Sequence, residues 1–154
     1  MIKTGLRVSE LVDLMLGDVE MAERGGWVIV REGKGGKYRE VPLSKEVRVA
    51  LESYLQKREE DGSQRLFLGQ RGPVNVPGVQ YLVAKYAYQA RLHDVTPHTL
   101  RHTFGKNLVD TGVSLEQVAA LLGHESLDTV MIYTKPSHGD LERAVRKAAG
   151  ELLD

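Results

Sequence analysis

The chain has 154 residues, 42% of them apolar, enough for one domain with a core that needs no metal or disulfide staple. Its 21 basic residues balance its 21 acidic ones, which argues against a strongly basic, non-specific nucleic-acid binder, and with no cysteine it holds neither a disulfide nor a thiolate metal site. No apolar run approaches membrane-spanning length and the first residues lack a signal-peptide pattern, so a soluble cytoplasmic protein is expected.

In chain order, Arg7 to Leu16 carries Val8, Leu11, Val12, Met15 and Leu16 at helical spacing, with Gly17 as a stop, and predicts a short helix. Asp18 to Met21 is a candidate strand. Trp27 to Arg31 reads as a second strand, Gly33-Lys34-Gly35-Gly36 as a flexible turn and Tyr38 to Pro42 as the returning strand, with Lys34 at the hairpin tip. Trp27 and Tyr38 are read as sheet packing. Arg31, Lys34, Lys37 and Arg39 stand against Glu32 alone, so a local basic edge is expected here despite the balanced total.

From Ser44, the spacing of Val47, Ala50, Leu51, Tyr54 and Leu55 predicts an amphipathic helix to about Glu60, broken by Gly62 and Ser63. After turns at Gly72-Pro73 and Pro77-Gly78, Val79 to Leu92 is a second long helix. The remainder reads as helical. Thr96 caps a helix with Pro97 at its first position and Leu100, Phe104, Leu108 and Val109 as its buried stripe, ended by Gly112. Ser114 with Gln117 forms a capping box, Ser126 caps a short helix leading to Tyr133, and Ser137 with Asp140 opens a last helix striped by Leu141, Ala144, Val145, Ala148 and Leu152. The fold class is therefore α+β, mainly helical, with a small three-stranded antiparallel sheet near the N-terminus.

His98 and Arg101 lie three residues apart on one predicted helix, a spacing that lets both side chains meet one small anion. His124 follows a helix end, and Tyr133 comes nine residues later. Phosphoryl transfer needs charged, fork-shaped donors for the oxygens that gather charge in the transition state, and arginine matches that geometry bidentately. Arg7 and Arg101 are the candidates for that clamp.

The segments Thr4-Gly5-Leu6-Arg7-Val8-Ser9-Glu10-Leu11, Gly33-Lys34-Gly35, His98-Thr99-Leu100-Arg101-His102, Leu122-Gly123-His124 and Tyr133-Thr134 occur in that order over almost the whole chain. Together they resemble the catalytic domain of the tyrosine recombinases, the phage integrase family. The resemblance implies the fold of DNA breaking-rejoining enzymes and metal-independent cleavage and rejoining of double-stranded DNA through a 3′-phosphotyrosine on Tyr133. It also implies that Arg7 and Arg101 clamp the scissile phosphate, Lys34 protonates the leaving 5′ oxygen, His98 is the general base, His124 hydrogen-bonds a phosphate oxygen and Glu10 orients the cations. Lys37 is a rival for the Lys34 role. No metal, nucleotide or other cofactor is expected, and no carboxylate cluster or His-Glu ligand motif accompanies the site.

Family members work as tetramers on paired DNA sites, so self-association is expected, and the stripe from Leu141 to Leu152 covers either the chain's own core or a partner protomer. They also carry an N-terminal helical DNA-binding domain, whereas only six residues precede Arg7 here. Residues 1–154 are accordingly expected to be a catalytic domain alone, with weak, salt-sensitive DNA affinity. Three other readings are open. A type IB topoisomerase shares the nucleophile and cation pair, although the Leu122-Gly123-His124 and hairpin segments favour a recombinase. A silent DNA-binding module would keep the fold alone, against which stands retention of every expected side chain. His98, His102 and His124 as a zinc triad lack a carboxylate partner, and His102 is read instead as a hydrogen-bonding residue packed beneath the site.

Overall fold

The computed structural model describes residues 1–31, 38–59, 62–124, 126–136 and 138–149, the side chain of Arg143 excepted. Lys34, Lys37 and the Gly-rich turn, Ser137 as a cap, and Leu152 lie outside those residues.

The N-terminal half is built on a sheet. Helix α1 (Val8–Asp13) leads through a 3-10 turn (Leu16–Asp18) to strands β1 (Val19–Ala22), β2 (Gly25–Val30) and β3 (Arg39–Pro42), and helix α2 (Lys45–Leu55) follows. The strands pair antiparallel in the order β1-β2-β3, with Val28 opposite both Val19 and Val41. Two-residue alternation puts Val28, Val30 and Val41 on one face, which packs with Leu6, Leu14, Leu43, Leu51 and Leu66 into a core.

Several expectations are corrected here. Trp27 alternates with Val28, so it points away from that core and is 44% exposed; Tyr38 is 58% exposed and donates to Glu40 at 2.5 Å on the surface. Neither packs inside the sheet. Helix α1 stops short of Leu16, because Leu14 O accepts from Leu66 N–H and Leu16 N–H donates to Gln64 O, each at 2.8 Å. The Asp18 carboxylate takes the Met15 N–H at 2.9 Å. Partners distant in sequence claim the backbone groups that another helical turn would use, and they override the apolar spacing. Helix α2 ends at Leu55 rather than near Glu60, and Arg58 then donates to the carbonyls of Ser63, Arg65 and Leu66, folding the chain back.

Where only a turn is expected, β4 (Leu68–Gly69) and β5 (Gly72–Pro73) form a short hairpin. Helix α3 (Val76–Gln89) begins before Val79, since Asn75 Oδ1 accepts the Gly78 N–H at 2.9 Å. Pro77 and Gly78 then sit in its first turn, where a missing N–H costs nothing.

The C-terminal half is helical: α4 (Pro97–Asp110), α5 (Leu115–Leu122), α6 (Leu127–Val130) and α7 (His138–Ala148). The expected caps are present, with Thr96, Ser114 and Ser126 each accepting a first-turn N–H. Val118, Ala119, Leu122, Val130 and Tyr133 make a second core. The wholly buried line of α4 is Pro97, Arg101 and Gly105, while Leu100, Phe104, Leu108 and Val109 are only half-buried. An arginine therefore lies at the centre of the helix's packed face. On α7, Leu141 and Val145 stay exposed, and Lys106 of α4 holds Asp140 at 3.3 Å. Among the described residues no helix is long and apolar enough to cross a membrane.

Candidate active site

Arg7 is the N-cap of α1, and Glu10, at the third helical position, folds back on it. The Glu10 carboxylate accepts the Arg7 backbone N–H at Oε2 and its Nη1 at Oε1, both at 2.7 Å. One turn of spacing thus makes a pair that ties the guanidinium to the start of the helix. The other arm of Arg7 donates from Nη2 to Gly123 O at 3.3 Å.

Arg101 is 4% exposed. A charge so deeply placed needs hydrogen-bonding partners. Its Nη1 donates to Gly5 O, and its Nη2 donates to Leu122 O at 2.7 Å and contacts His124 Nε2 at 3.2 Å. Two arginines from opposite halves of the chain therefore converge on adjacent carbonyls, those of Leu122 and Gly123, at the end of α5. Gly123 closes α5 with φ of +64°, a left-handed turn that ends the helix and carries the chain on to His124.

Sequence reasoning missed Arg39. Assigned to a basic edge, it is instead nearly buried, its Nη1 and Nη2 donating to Glu10 Oε1 and Oε2 at 3.0 and 2.7 Å and its Nε to Leu121 O at 3.0 Å. Arg31, the other described member of that edge, pairs with buried Asp18 at 2.5 Å. Strand alternation was the available signal, because Arg39 shares a face with Val41, a core residue.

Glu10 is thereby surrounded by cations. Burial pushes its carboxyl up, but the bonds from Arg39 and from the Arg7 backbone and side chain outweigh this and bring it down to about 2. Burial, with repulsion from Arg7 and Arg39 only partly offset by Glu10, lowers Arg101 to about 10, so it stays charged at neutral pH. Burial and then the Arg101, Arg7 and Arg39 charges lower His124 to about 4. The imidazole is neutral at pH 7, and because an arginine N–H only donates, Nε2 accepts and Nδ1 carries the proton.

Tyr133 belongs to a 3-10 turn (Met131–Tyr133) after α6 and is 2% exposed. Its ring lies 4.9 Å from that of His102 and 6.5 Å from that of His124, the latter edge-on. Gly105 makes room for it, since a Cβ there would stand 2.8 Å from the tyrosine ring. Burial raises the phenol above its ordinary value, and the Arg101 and Arg7 charges oppose that rise.

Arg7 is thus bonded to Glu10 and Arg101 to His124, the two pairs meet at the adjacent Leu122 and Gly123 carbonyls with Arg101 3.9 Å from Glu10, and Tyr133 packs beside His124. His98 stands on the exposed side of the first turn of α4, outside that bonded set. Lys34 lies outside the described residues. His102 contributes a ring contact to Tyr133, and among the described residues it makes no hydrogen bond of the kind expected. Among the described residues no three His, Asp or Glu side chains gather as a metal site, so the imidazole triad is not assembled.

The sequence profile of the phage integrase family matches residues 1–139. The tyrosine recombinase XerA of Pyrococcus horikoshii is 41% identical over 148 residues, which take in 94% of this chain and 50% of that protein. A crystal structure of XerA recombinase matches 96% of this chain and 54% of its own, with a TM-score of 0.83 and 32% identity. The XerH site-specific recombinase, bound to its difH substrate in a pre-cleavage complex, matches 94% of this chain and 43% of its own, with a TM-score of 0.77 and 29% identity. The chain spans about half the length of the curated relatives it matches. On this sequence match over most of its length, and on a sheet-and-helix fold shared with those structures, the chain belongs to the phage integrase family.

Proposed function

We propose that residues 1–154 serve as the catalytic domain of a DNA strand transferase acting on double-stranded DNA in the cytoplasm. The observation that carries this reading is the convergence of Arg7 and Arg101 on the Leu122–His124 turn, with the Tyr133 ring beside His124. Two fixed guanidinium groups and an imidazole suit one phosphodiester, whose non-bridging oxygens gain charge during transfer.

In this reading the Tyr133 oxygen attacks phosphorus and forms the 3′-phosphotyrosine bond as the bond to the 5′ oxygen breaks. The phenolic proton passes to His98, and Lys34 supplies a proton to the leaving 5′ oxygen. Attack by a 5′ hydroxyl on the phosphotyrosine reverses these transfers, so the energy of the original ester is conserved. Arg7 and Arg101 hold the non-bridging oxygens. His124, neutral at pH 7, offers its Nδ1–H, while Glu10 fixes the arginines. A phenol with a raised pKa and a buried ring is a poor nucleophile, so substrate binding must bring Tyr133 towards both cations.

The XerH relative solved on its difH substrate supports DNA as the partner. The exposed Leu141 and Val145 of α7 support self-association through that helix, with a tetramer on paired sites as the working assembly.

The test is incubation of the chain with nicked suicide duplexes of randomised sequence, followed by denaturing gels. A covalent adduct that maps to Tyr133 and vanishes in Tyr133→Phe is expected. Relaxation of supercoils without strand exchange would instead favour a topoisomerase, and tight binding without adduct a silent module.

A further inference from the structure

Glu10 poses a problem that the proposed chemistry does not solve. A buried carboxylate beside a phosphate clamp repels the phosphate and competes for the same guanidinium groups. Glu10 Oε1 bonds Arg7, and Oε2 stands 3.9 Å from Arg101 Nη1, within reach of a closer ion pair. Yet Arg101 gives that nitrogen's bond to Gly5 O instead. Both carboxylate oxygens take a second donor from Arg39, which adds a two-pronged fork to the bonds from Arg7.

Accepting the strand-transfer reading above, we propose that Arg39 is a positioning residue whose fork, added to the Arg7 bonds, saturates Glu10, so that Arg101 and the remaining N–H groups of Arg7 are left for a phosphate instead of being drawn to the carboxylate. Three guanidinium groups around one carboxylate leave a net positive centre of two charges, and removing Arg39 halves it. Removal also frees acceptor sites on Glu10 beside both clamp arginines. The Arg39 Nε bond to Leu121 O ties the same fork to the turn that carries Gly123 and His124, so one side chain sets both the charge and the spacing of the clamp. The low pKa of Glu10, lowered most by its Arg39 bond once burial is overcome, agrees with this arrangement.

A merely structural Arg39 and a positioning Arg39 differ in one respect. If the damage caused by its loss comes from an unsaturated carboxylate, removing that charge repairs it. The experiment measures single-turnover adduct formation at saturating nicked duplex for the wild-type chain, Arg39→Met, Arg39→Lys and the double variant Arg39→Met/Glu10→Gln, with melting followed by circular dichroism. Arg39→Met is expected to slow the reaction about 10–100-fold, as loss of an orienting partner behind a reactive group commonly does. Half-saturation by DNA should change little. Arg39→Lys, which keeps the charge without the fork, should fall between, and the double variant should regain most of the lost rate.

Absence of adduct from the wild-type chain sinks the strand-transfer reading itself. Given a wild-type adduct, an Arg39→Met chain as fast as wild type overturns the inference, as does a double variant no faster than the single one. If Arg39→Met does not fold, the double variant decides: folding with cleavage supports the inference, and loss of folding in both shows that the bonds of Arg39 are structural only.

Discussion

Arg101 Nη2 lies 3.2 Å from His124 Nε2, and this contact makes the imidazole an acceptor. A protonated His124 would set two donors against each other. Burial and the surrounding arginines accordingly hold its pKa near 4 in the folded chain, against an ordinary 6.5. Between those values the unfolded chain takes up a proton that the folded chain refuses, so stability falls as pH drops from 6.5 to 4. Glu10, depressed from 4.5 to about 2, continues the loss: its contribution is whole above pH 4.5 and disappears as pH falls through 2. Urea midpoints should decline from pH 7 to pH 4.5, and His124→Asn, whose amide oxygen can still accept from Arg101, should flatten that decline. Parallel slopes in the two proteins would show that another group titrates.

Replacing Arg101 by lysine tests the clamp directly. The guanidinium satisfies Gly5 O, Leu122 O and His124 from two nitrogens set at a fixed angle. An ammonium group is a point donor on a flexible stem and cannot span these acceptors and a phosphate together. Adduct formation by Arg101→Lys should drop about 10²–10³-fold, the loss typical of a preorganised transition-state donor. A rate within a few-fold of wild type would remove Arg101 from the reaction.

The residues were legible in the sequence where chemistry or local geometry dictated them. Arg7 and Glu10 pair because a helix brings the third position back over its cap, and Thr96, Ser114 and Ser126 cap because their oxygens meet first-turn N–H groups. Non-local pairing was not legible. The end of α1 depends on backbone bonds to Gln64 and Leu66, and although strand alternation turns Arg39 inward, its partners Glu10 and Leu121 are distant residues that no window of sequence contains. The apolar stripe expected on α4 is half-buried for the same reason: tertiary contacts give the packed face to Arg101 and Gly105.

Gly105 predicts how tightly Tyr133 is held. A methyl group there would stand 2.8 Å from the phenol ring, closer than packed atoms allow, so Gly105→Ala must push the ring outward. Overpacking of this kind costs about 1–3 kcal/mol. The variant should melt at lower temperature, and tetranitromethane should nitrate Tyr133 faster than in wild type. Unchanged nitration with unchanged stability would mean that the ring has room the structure does not show.

Gly123 separates backbone strain from side-chain contact. Its φ of +64° disfavours a residue with a Cβ, and that Cβ would also meet the Arg39 guanidinium at 2.8 Å. A free arginine tip would step aside cheaply, but this one is pinned by two bonds to Glu10 and one to Leu121 O. Alanine at position 123 pays about 1–2 kcal/mol for the left-handed backbone as well as the collision. Asparagine tolerates that backbone, so its remaining cost is the contact alone. Gly123→Asn should therefore melt above Gly123→Ala while both lose adduct formation, because both move Arg39 away from Glu10. If asparagine restores the rate along with the stability, the glycine is there for the turn and not for Arg39.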